Sequence, residues 1–151
     1  MDLIDAERLA RALMDNHGLH DWRFDFDYAR RRFGRCRYRD RTITLSQYFV
    51  ALNDESEVGE TVRHEIAHAL AGPNTGHGQA WVDSCATVGA KPIRCYDAGD
   101  REVVTPPGSW TVTCPRCGVT FTRHRRARGR FACMDCNKKD GSVIELKWKK
   151  S

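Results

Sequence analysis

The pattern His64-Glu65-Ile66-Ala67-His68 contains the residues whose types and spacing most clearly suggest chemistry. In an α-helix of about 3.6 residues per turn, His64 and His68 project from the same face. Two neutral imidazoles at this spacing can occupy two corners of a zinc tetrahedron. Glu65 lies beside them and can take a proton from a metal-activated water that attacks a carbonyl carbon. The pattern therefore predicts a catalytic zinc site with Glu65 as the base.

A third zinc ligand must come from another part of the chain, because catalytic zinc sites use three protein ligands and keep one position open. His77 lies nine residues after His68, in the sequence Gly76-His77-Gly78. The two glycines allow the chain to turn back towards the metal. We expect His77 to be the third ligand, and Asp83 and Glu102 are the alternatives.

A second metal site is predicted from the cysteines. Four of the seven form two CxxC pairs separated by 15 residues: Cys114 with Cys117, and Cys133 with Cys136. This spacing is typical of a structural zinc ribbon, in which both pairs bind one ion. We therefore expect two zinc ions in total, one catalytic and one structural. The remaining cysteines are expected to be buried thiols: Cys36, Cys85 and Cys95.

The charge of the chain is concentrated near its C-terminus. Residues 1–109 carry 14 Lys and Arg against 17 Asp and Glu, whereas residues 110–151 carry 11 against 3. A segment this basic indicates a polyanionic partner, with nucleic acid the first candidate. Arginines attract phosphates and exposed aromatic rings stack on unpaired bases. The candidate contacts are Arg123, Arg125, Arg126, Arg128, Arg130, Trp110 and Phe121.

The elements that must position these residues follow from hydrophobic periodicity and capping signals. We predict a helix over residues 5–15 and strands within residues 20–45. The metal-binding helix is expected to start at Asp54, with Glu57 completing a capping box, and to end at Gly72-Pro73. A further helix is predicted from Gln79 to Val88.

Two weaker predictions concern the rest of the chain. Residues 97–109 have the Pro and Gly content of a linker. Residues 119–131 have the pattern of a β-hairpin with an arginine-rich tip. Phe121 and Phe131 flank that tip, and they either form the small core of the cysteine module or stack on bases. The arginine-rich stretch 30–41 is either a solvated strand face or a nucleic-acid contact.

The order of these motifs resembles that of the SprT-like metallopeptidases, a family that includes Spartan-like DNA–protein crosslink proteases. The resemblance covers about residues 5–140. It implies an α+β fold, with a zincin-like protease domain over residues 1–105 and a zinc ribbon with a basic tail over residues 106–151. It also implies a ligand set and a catalytic base: His64, His68 and His77 with Glu65.

The expected function is a zinc-dependent endopeptidase directed to DNA, with DNA-bound or DNA-crosslinked proteins as substrates. We expect a monomer whose partners are these proteins and DNA, including single-stranded DNA. No apolar run reaches the roughly 20 residues of a membrane helix, and charges in residues 1–20 argue against a secretory signal. An intracellular location follows, in the cytoplasm or nucleoid, or in the nucleus of a eukaryote.

Two other functions compete with this interpretation. A non-catalytic, zinc-containing nucleic-acid-binding module would explain both metal sites and the basic segment, although such a module does not require Glu65. A metal-dependent nuclease is the third hypothesis. Three-histidine nucleases use a tighter histidine spacing than the one found here.

Overall fold

The computed structural model describes residues 1–94 and 102–151 as a mixed α+β fold with helices and strands in both parts. Its contacts divide the chain into two compact units, Met1–Pro106 and Pro107–Ser151. Across the described residues, no helix has the length and apolar character that crossing a membrane requires.

The described residues of the first unit form four helices and three strands. In chain order they are α1 Leu3–Asn16, β1 Arg23–Asp27, β2 Gly34–Arg37, β3 Thr42–Ser46, α2 Gln47–Leu52, α3 Glu55–Ala71 and α4 Gln79–Val88. The predicted helices and the strand region are confirmed. Helix α2 was not predicted, because it follows β3 directly and has only six residues. Ser46 caps it, since its hydroxyl accepts a hydrogen bond from the Phe49 N–H.

The strands of the first unit form one sheet in the order β1-β3-β2. β1 runs parallel to β3, whereas β2 runs antiparallel to it. Strand β2 is therefore an edge strand, and it packs against α3. Because Cys36 lies opposite Ile43 in the register, both side chains are on the same face of the sheet. The pairing of β2 with β3 therefore places β2 beside α3, the helix that carries His64 and His68.

The core of the first unit lies between the sheet and its helices. Apolar residues at helical spacing are fully buried along α1 and α3: Ala6, Ala10 and Met14, and Val58, Val62 and Ile66. Ile43 and Leu45 of β3 complete this core from the sheet. Burying a side chain of this size contributes roughly 1.5–3 kcal/mol, so the packing fixes α3 in place.

The predicted linker is partly attached to the first unit. Its described part begins at residue 102 and has no helix or strand before Trp110. The buried side chain of Asn53 donates to the Val104 carbonyl and accepts from the Val104 N–H, both at 2.8 Å. Val103 also packs against the core. This part of the segment is consequently fixed to the first unit, and Cys95 lies outside the described residues.

The second unit contains five short strands and one helix: β4 Trp110–Thr113, β5 Thr120–Arg123, β6 Phe131–Ala132, α5 Met134–Asp140, β7 Glu145–Leu146 and β8 Lys149–Lys150. The hairpin predicted over residues 119–131 is wrong, because β5 pairs with β4 and β6 pairs with β7. Each of these two pairings encloses one CxxC pair. The cysteine turns, and not the arginine-rich segment, set the strand pairing.

Candidate metal centres and catalytic cleft

The capping of α3 determines where the histidines lie. The Asp54 carboxylate accepts a hydrogen bond from the Glu57 N–H at 3.0 Å, as expected for an N-cap. The helix ends at Gly72, whose φ of 91° suits glycine and whose N–H donates to the His68 carbonyl. The motif at residues 64–68 therefore occupies the C-terminal half of a well-capped helix.

The structure brings His64, His68 and His77 together. The Nε2 atom of His77 lies 3.1 Å from that of His68 and 3.3 Å from that of His64. Zinc–nitrogen bonds of about 2.0–2.1 Å place two ligands of a tetrahedron about 3.3 Å apart. The spacing of the three nitrogens is thus compatible with one zinc ion.

The loop that carries His77 turns sharply between α3 and α4. Asn74 and Gly76 have φ angles of 63° and 53°, a region open to Asn and Gly. The Thr75 hydroxyl donates to the Gly72 carbonyl at 2.7 Å and holds the turn against the end of α3. His77 then lies directly before Gly78, which caps α4.

The two alternative ligands do not join the histidine group, which consists of His64, His68 and His77. Asp83 is exposed and accepts a hydrogen bond from the Gln79 side chain at 2.7 Å. Glu102 is exposed as well. Among the described residues, His77 is therefore the best-placed third ligand.

The environment of His68 and His77 favours the neutral imidazole, the form that binds a metal ion. Burial and the neighbouring His77 lower the pKa of His68 to about 4. Burial and the charge of Arg94 lower the pKa of His77. Proton competition with a metal ion at this site is correspondingly weak near neutral pH.

Glu65 is buried beside the histidines, with 7% of its surface exposed. Burial raises the pKa of Glu65 to about 8, while the Arg32 guanidinium and a hydrogen bond from the Cys36 backbone act in the opposite direction. A cation at the histidines would also favour the carboxylate form. Gly34 leaves the room that this carboxylate needs, since a Cβ there would lie 3.0 Å from Glu65 Oε1.

Two aromatic residues that sequence analysis did not assign to the site support it. The ring of Trp81 is buried in α4, with centroids 4.9, 5.6 and 4.6 Å from those of His64, His68 and His77. The Tyr38 hydroxyl donates to the His68 carbonyl at 2.6 Å. In the sequence, Trp81 belongs to the apolar face of a predicted helix and is expected to be a core residue. Its position four residues after His77 is the one signal that could have indicated a contact with the histidines.

The histidines and Glu65 open into a cleft of about 560 Å³. Strand β2 contributes Gly34, Arg35 and Cys36 to its lining, and the segment after α4 contributes Ile93 and Arg94. The expectation of a buried Cys36 is wrong, because its side chain is partly exposed at this cleft, whereas Cys85 is buried as expected. Part of the arginine-rich stretch 30–41 is thus a wall of the cleft.

The four predicted cysteines also come together. The Sγ atoms of Cys114 and Cys136 are 3.8 Å apart, and those of Cys117 and Cys133 are 3.6 Å apart. Zinc–sulfur bonds of about 2.3 Å place tetrahedral ligands about 3.8 Å apart. Hydrogen bonds from the backbone N–H groups of Cys117 and Arg116 lower the pKa of Cys114 to about 6, whereas burial and the neighbouring thiols raise that of Cys136 to about 12. This group is compatible with zinc.

The candidate nucleic-acid residues form an arginine–aromatic face on the second unit. Trp110 lies opposite Arg123, and Phe121 lies opposite Val112, so these side chains share one face of the sheet. The Arg123 guanidinium carbon lies 5.4 Å from the ring centroids of both Phe131 and Trp148. Arg126 lies 5.7 Å from that of Trp110. We call these residues the arginine–aromatic face: Trp110, Phe121, Arg123, Arg126, Phe131 and Trp148.

The small core of the second unit does not use the two phenylalanines. It consists of three cysteines with Val119, Ile144 and Leu146. Phe121 is 41% exposed, and Phe131 is half-buried beneath Arg123. Phe121 is therefore available at the surface, whereas the Phe131 ring is partly covered by Arg123.

The predicted arginines after Arg123, including Arg126 of the face, lie in the segment that joins β5 to β6. Arg125, Arg126 and Arg128 line an open concavity together with Ala127 and Gly129. Arg130 is mostly exposed and its Nε lies 3.2 Å from a Glu145 carboxylate oxygen. These side chains add positive charge beside the arginine–aromatic face.

The described structure is that of a mixed α+β protein with two groups of residues that can hold zinc, one of histidines and one of cysteines. The model of the SprT-like family matches residues 6–99, more than half of the chain. The chain therefore belongs to the SprT-like family, which is associated with metalloprotease-like activity. Comparison with curated proteins and with solved structures gives no match.

Proposed function

We propose that this chain is a zinc-dependent endopeptidase directed to DNA, which cleaves DNA-bound or DNA-crosslinked proteins. The observation that carries the proposal is the position of buried Glu65 beside three histidine nitrogens at tetrahedral spacing in an open cleft. A structural zinc site has four protein ligands and needs no adjacent carboxylate. Membership of the SprT-like family supports the same conclusion.

In the proposed zincin-type site, His64, His68 and His77 would hold the zinc ion. When bound, zinc polarises the scissile carbonyl and makes water in the site more acidic. Glu65 takes the proton from the attacking water and passes it to the leaving amine. The Cys36 N–H orients the Glu65 carboxylate for both transfers. Tyr38 and Trp81 hold the histidine helix and the three rings in position.

Strand β2 provides a place for the substrate backbone. It is the edge of its sheet, and it lines the cleft beside Glu65. An extended polypeptide can add to such an edge through main-chain hydrogen bonds. This mode of binding requires an unfolded or flexible segment and little side-chain recognition, which suits a protease that acts on varied DNA-bound proteins.

The endopeptidase activity is tested by incubating the zinc-loaded chain with a DNA-binding protein and sequencing the fragments by mass spectrometry. We expect internal cleavage that stops when a chelator removes zinc and returns when zinc is restored. Fragments that form equally fast in the presence of the chelator would exclude this mechanism.

The arginine–aromatic face is the proposed site for single-stranded DNA. Rings of Trp110 and Phe121 can stack on unpaired bases, while Arg123 and Arg126 neutralise phosphates. Binding the DNA and its attached protein together raises the local concentration of the substrate. The proposal places a monomeric enzyme, with DNA and DNA-bound proteins as partners, in the cell compartment that contains DNA.

Replacing Trp110 and Arg126 with alanine is expected to weaken single-stranded DNA binding about 10-fold, because each stacked base contributes about 1–3 kcal/mol. Fluorescence anisotropy with a labelled oligothymidine measures the affinity. Lys139→Ala is the matched control, since Lys139 is an exposed cation of the same unit outside the face. An equal loss with Lys139→Ala would assign binding to overall charge and reject the face.

A further inference from the structure

We propose that the cleft of the first unit selects polypeptide segments with acidic side chains beside the scissile bond, and that Arg35 and Arg94 set this preference. The inference rests on the proposed peptidase function and adds a substrate class to it. It concerns the cleft and is separate from the arginine–aromatic face of the second unit.

The lining of the cleft is basic. Four arginines contribute to it: Arg31, Arg32, Arg35 and Arg94. Among the described residues of the lining, Glu65 is the one carboxylate, and 7% of its surface is exposed. A substrate that enters the cleft therefore meets positive charge on its walls.

The arginines of the lining differ in whether their charge is paired within the protein. Arg32 donates to Asp27 at 2.8 Å, so its charge is already paired within the protein. Arg35 is an exposed residue of the edge strand β2. It is thus placed on the strand along which a peptide backbone would lie.

Arg94 approaches the cleft from a different element. It follows α4, which packs against α3 as β2 also does. Its guanidinium is close enough for its charge to act on His77. A peptide in the cleft would therefore meet a cation from each of two elements that line it, Arg35 from β2 and Arg94 from the segment after α4.

A carboxylate on the substrate would complement this arrangement. Guanidinium groups bind carboxylates through paired, charge-assisted hydrogen bonds, which are stronger than neutral ones. One such partly exposed pair corresponds to a preference of about 10-fold over an uncharged side chain. A lysine at the same position would be repelled by both arginines.

A peptide fits the cleft better than a nucleic acid does. Base stacking needs exposed aromatic rings, but Phe33 in the lining is buried, and Tyr38 is partly buried with its ring in edge contact with Trp22. Strand β2, in contrast, is an edge strand among the described residues, and such an edge matches an extended polypeptide. We therefore take a polypeptide, with carboxylates as its acidic groups, as the occupant of the cleft.

The test uses three quenched fluorescent peptides that differ only in the two residues flanking the central bond, which are Glu, Gln or Lys. With the zinc-loaded full chain, we expect kcat/KM to be about 10-fold higher for the Glu peptide than for the Gln peptide, and lowest for the Lys peptide. The double variant Arg35→Glu, Arg94→Glu should reverse the ratio of Glu to Lys cleavage. Arg63→Glu, in α3 but outside the lining of the cleft, should keep it.

Equal kcat/KM values for the Glu and Gln peptides would overturn the acidic preference and leave the proposed peptidase intact. Absence of all cleavage would overturn the peptidase instead, and anisotropy of the same peptides made without the quencher would still show whether the Glu peptide binds more tightly. An oligonucleotide that blocks Gln peptide cleavage by the wild type but not by the double variant would assign the two arginines to nucleic acid and reject the inference.

Discussion

Glu65→Gln is expected to retain zinc at the histidines and to lower kcat/KM for peptide cleavage by at least about 100-fold, the smallest usual contribution of a general base. The amide has nearly the same shape as the carboxylate, so it fits the space left by Gly34. It cannot accept the proton of the attacking water. Metal analysis and a fluorescent peptide assay of the same sample separate the two effects.

The matched control for this substitution is Glu55→Gln, which removes a carboxylate from the exposed first turn of the same helix. This variant should cleave at nearly the wild-type rate. A Glu65→Gln protein that holds zinc and cleaves as fast as the wild type would show that Glu65 is not the base.

Cys133→Ser is expected to unfold the second unit while leaving the first unit folded. The small core contains Val119, Ile144 and Leu146 around the cysteine sulfurs. This core buries too little apolar surface to fold the unit Pro107–Ser151 without the metal. Structural zinc contributes about 10 kcal/mol or more in small domains of this kind. Cys133 is fully buried, so serine would leave an incomplete metal site in the centre of the unit.

Two-dimensional NMR of the full chain measures this effect, because dispersed amide signals of residues 107–151 should collapse while those of the first unit remain. A chelator added to the wild type should reproduce the change. Cys36→Ser is the control, since this cysteine belongs to the first unit and is outside the metal groups. A Cys133→Ser protein with an unchanged spectrum would show that the fold does not depend on the metal.

The position of the histidine helix was predictable from the sequence because its signals are local. Asp54 and Gly72 mark its ends through hydrogen bonds to nearby backbone atoms, and the spacing of the histidines follows from helical geometry. The cysteine group was predictable for a similar reason, since each CxxC pair forms its own turn. The roles of these residues in catalysis and zinc binding stay predictions.

The contribution of β2 to the cleft was not predictable from local patterns. Gly34, Cys36 and Tyr38 reach Glu65 and His68 only because β2 pairs with β3 and packs against α3. Their stretch of sequence is dominated by arginines and has the composition of a solvated strand. Sequence periodicity does not specify which distant element covers a strand face.

The strand pairing of the second unit was missed for the same reason. Residues 119–131 alternate like a hairpin, but the two strands belong to different sheets. The cysteine turns bring β4 to β5 and β6 to β7, and that pairing leaves Phe121 and Phe131 beside arginines. A composition argument alone could not distinguish these two arrangements.

The most direct test of DNA-directed proteolysis is the rate at which the zinc-loaded chain cleaves a protein crosslinked to single-stranded DNA, compared with the same protein free of DNA. We predict that cleavage of the crosslinked protein is faster, and that alanine at Trp110 and Arg126 removes the difference without abolishing cleavage of the free protein. Equal rates for the two substrates would contradict the role of DNA. No cleavage of either substrate by a chain that binds zinc and DNA would instead indicate a non-catalytic nucleic-acid-binding module.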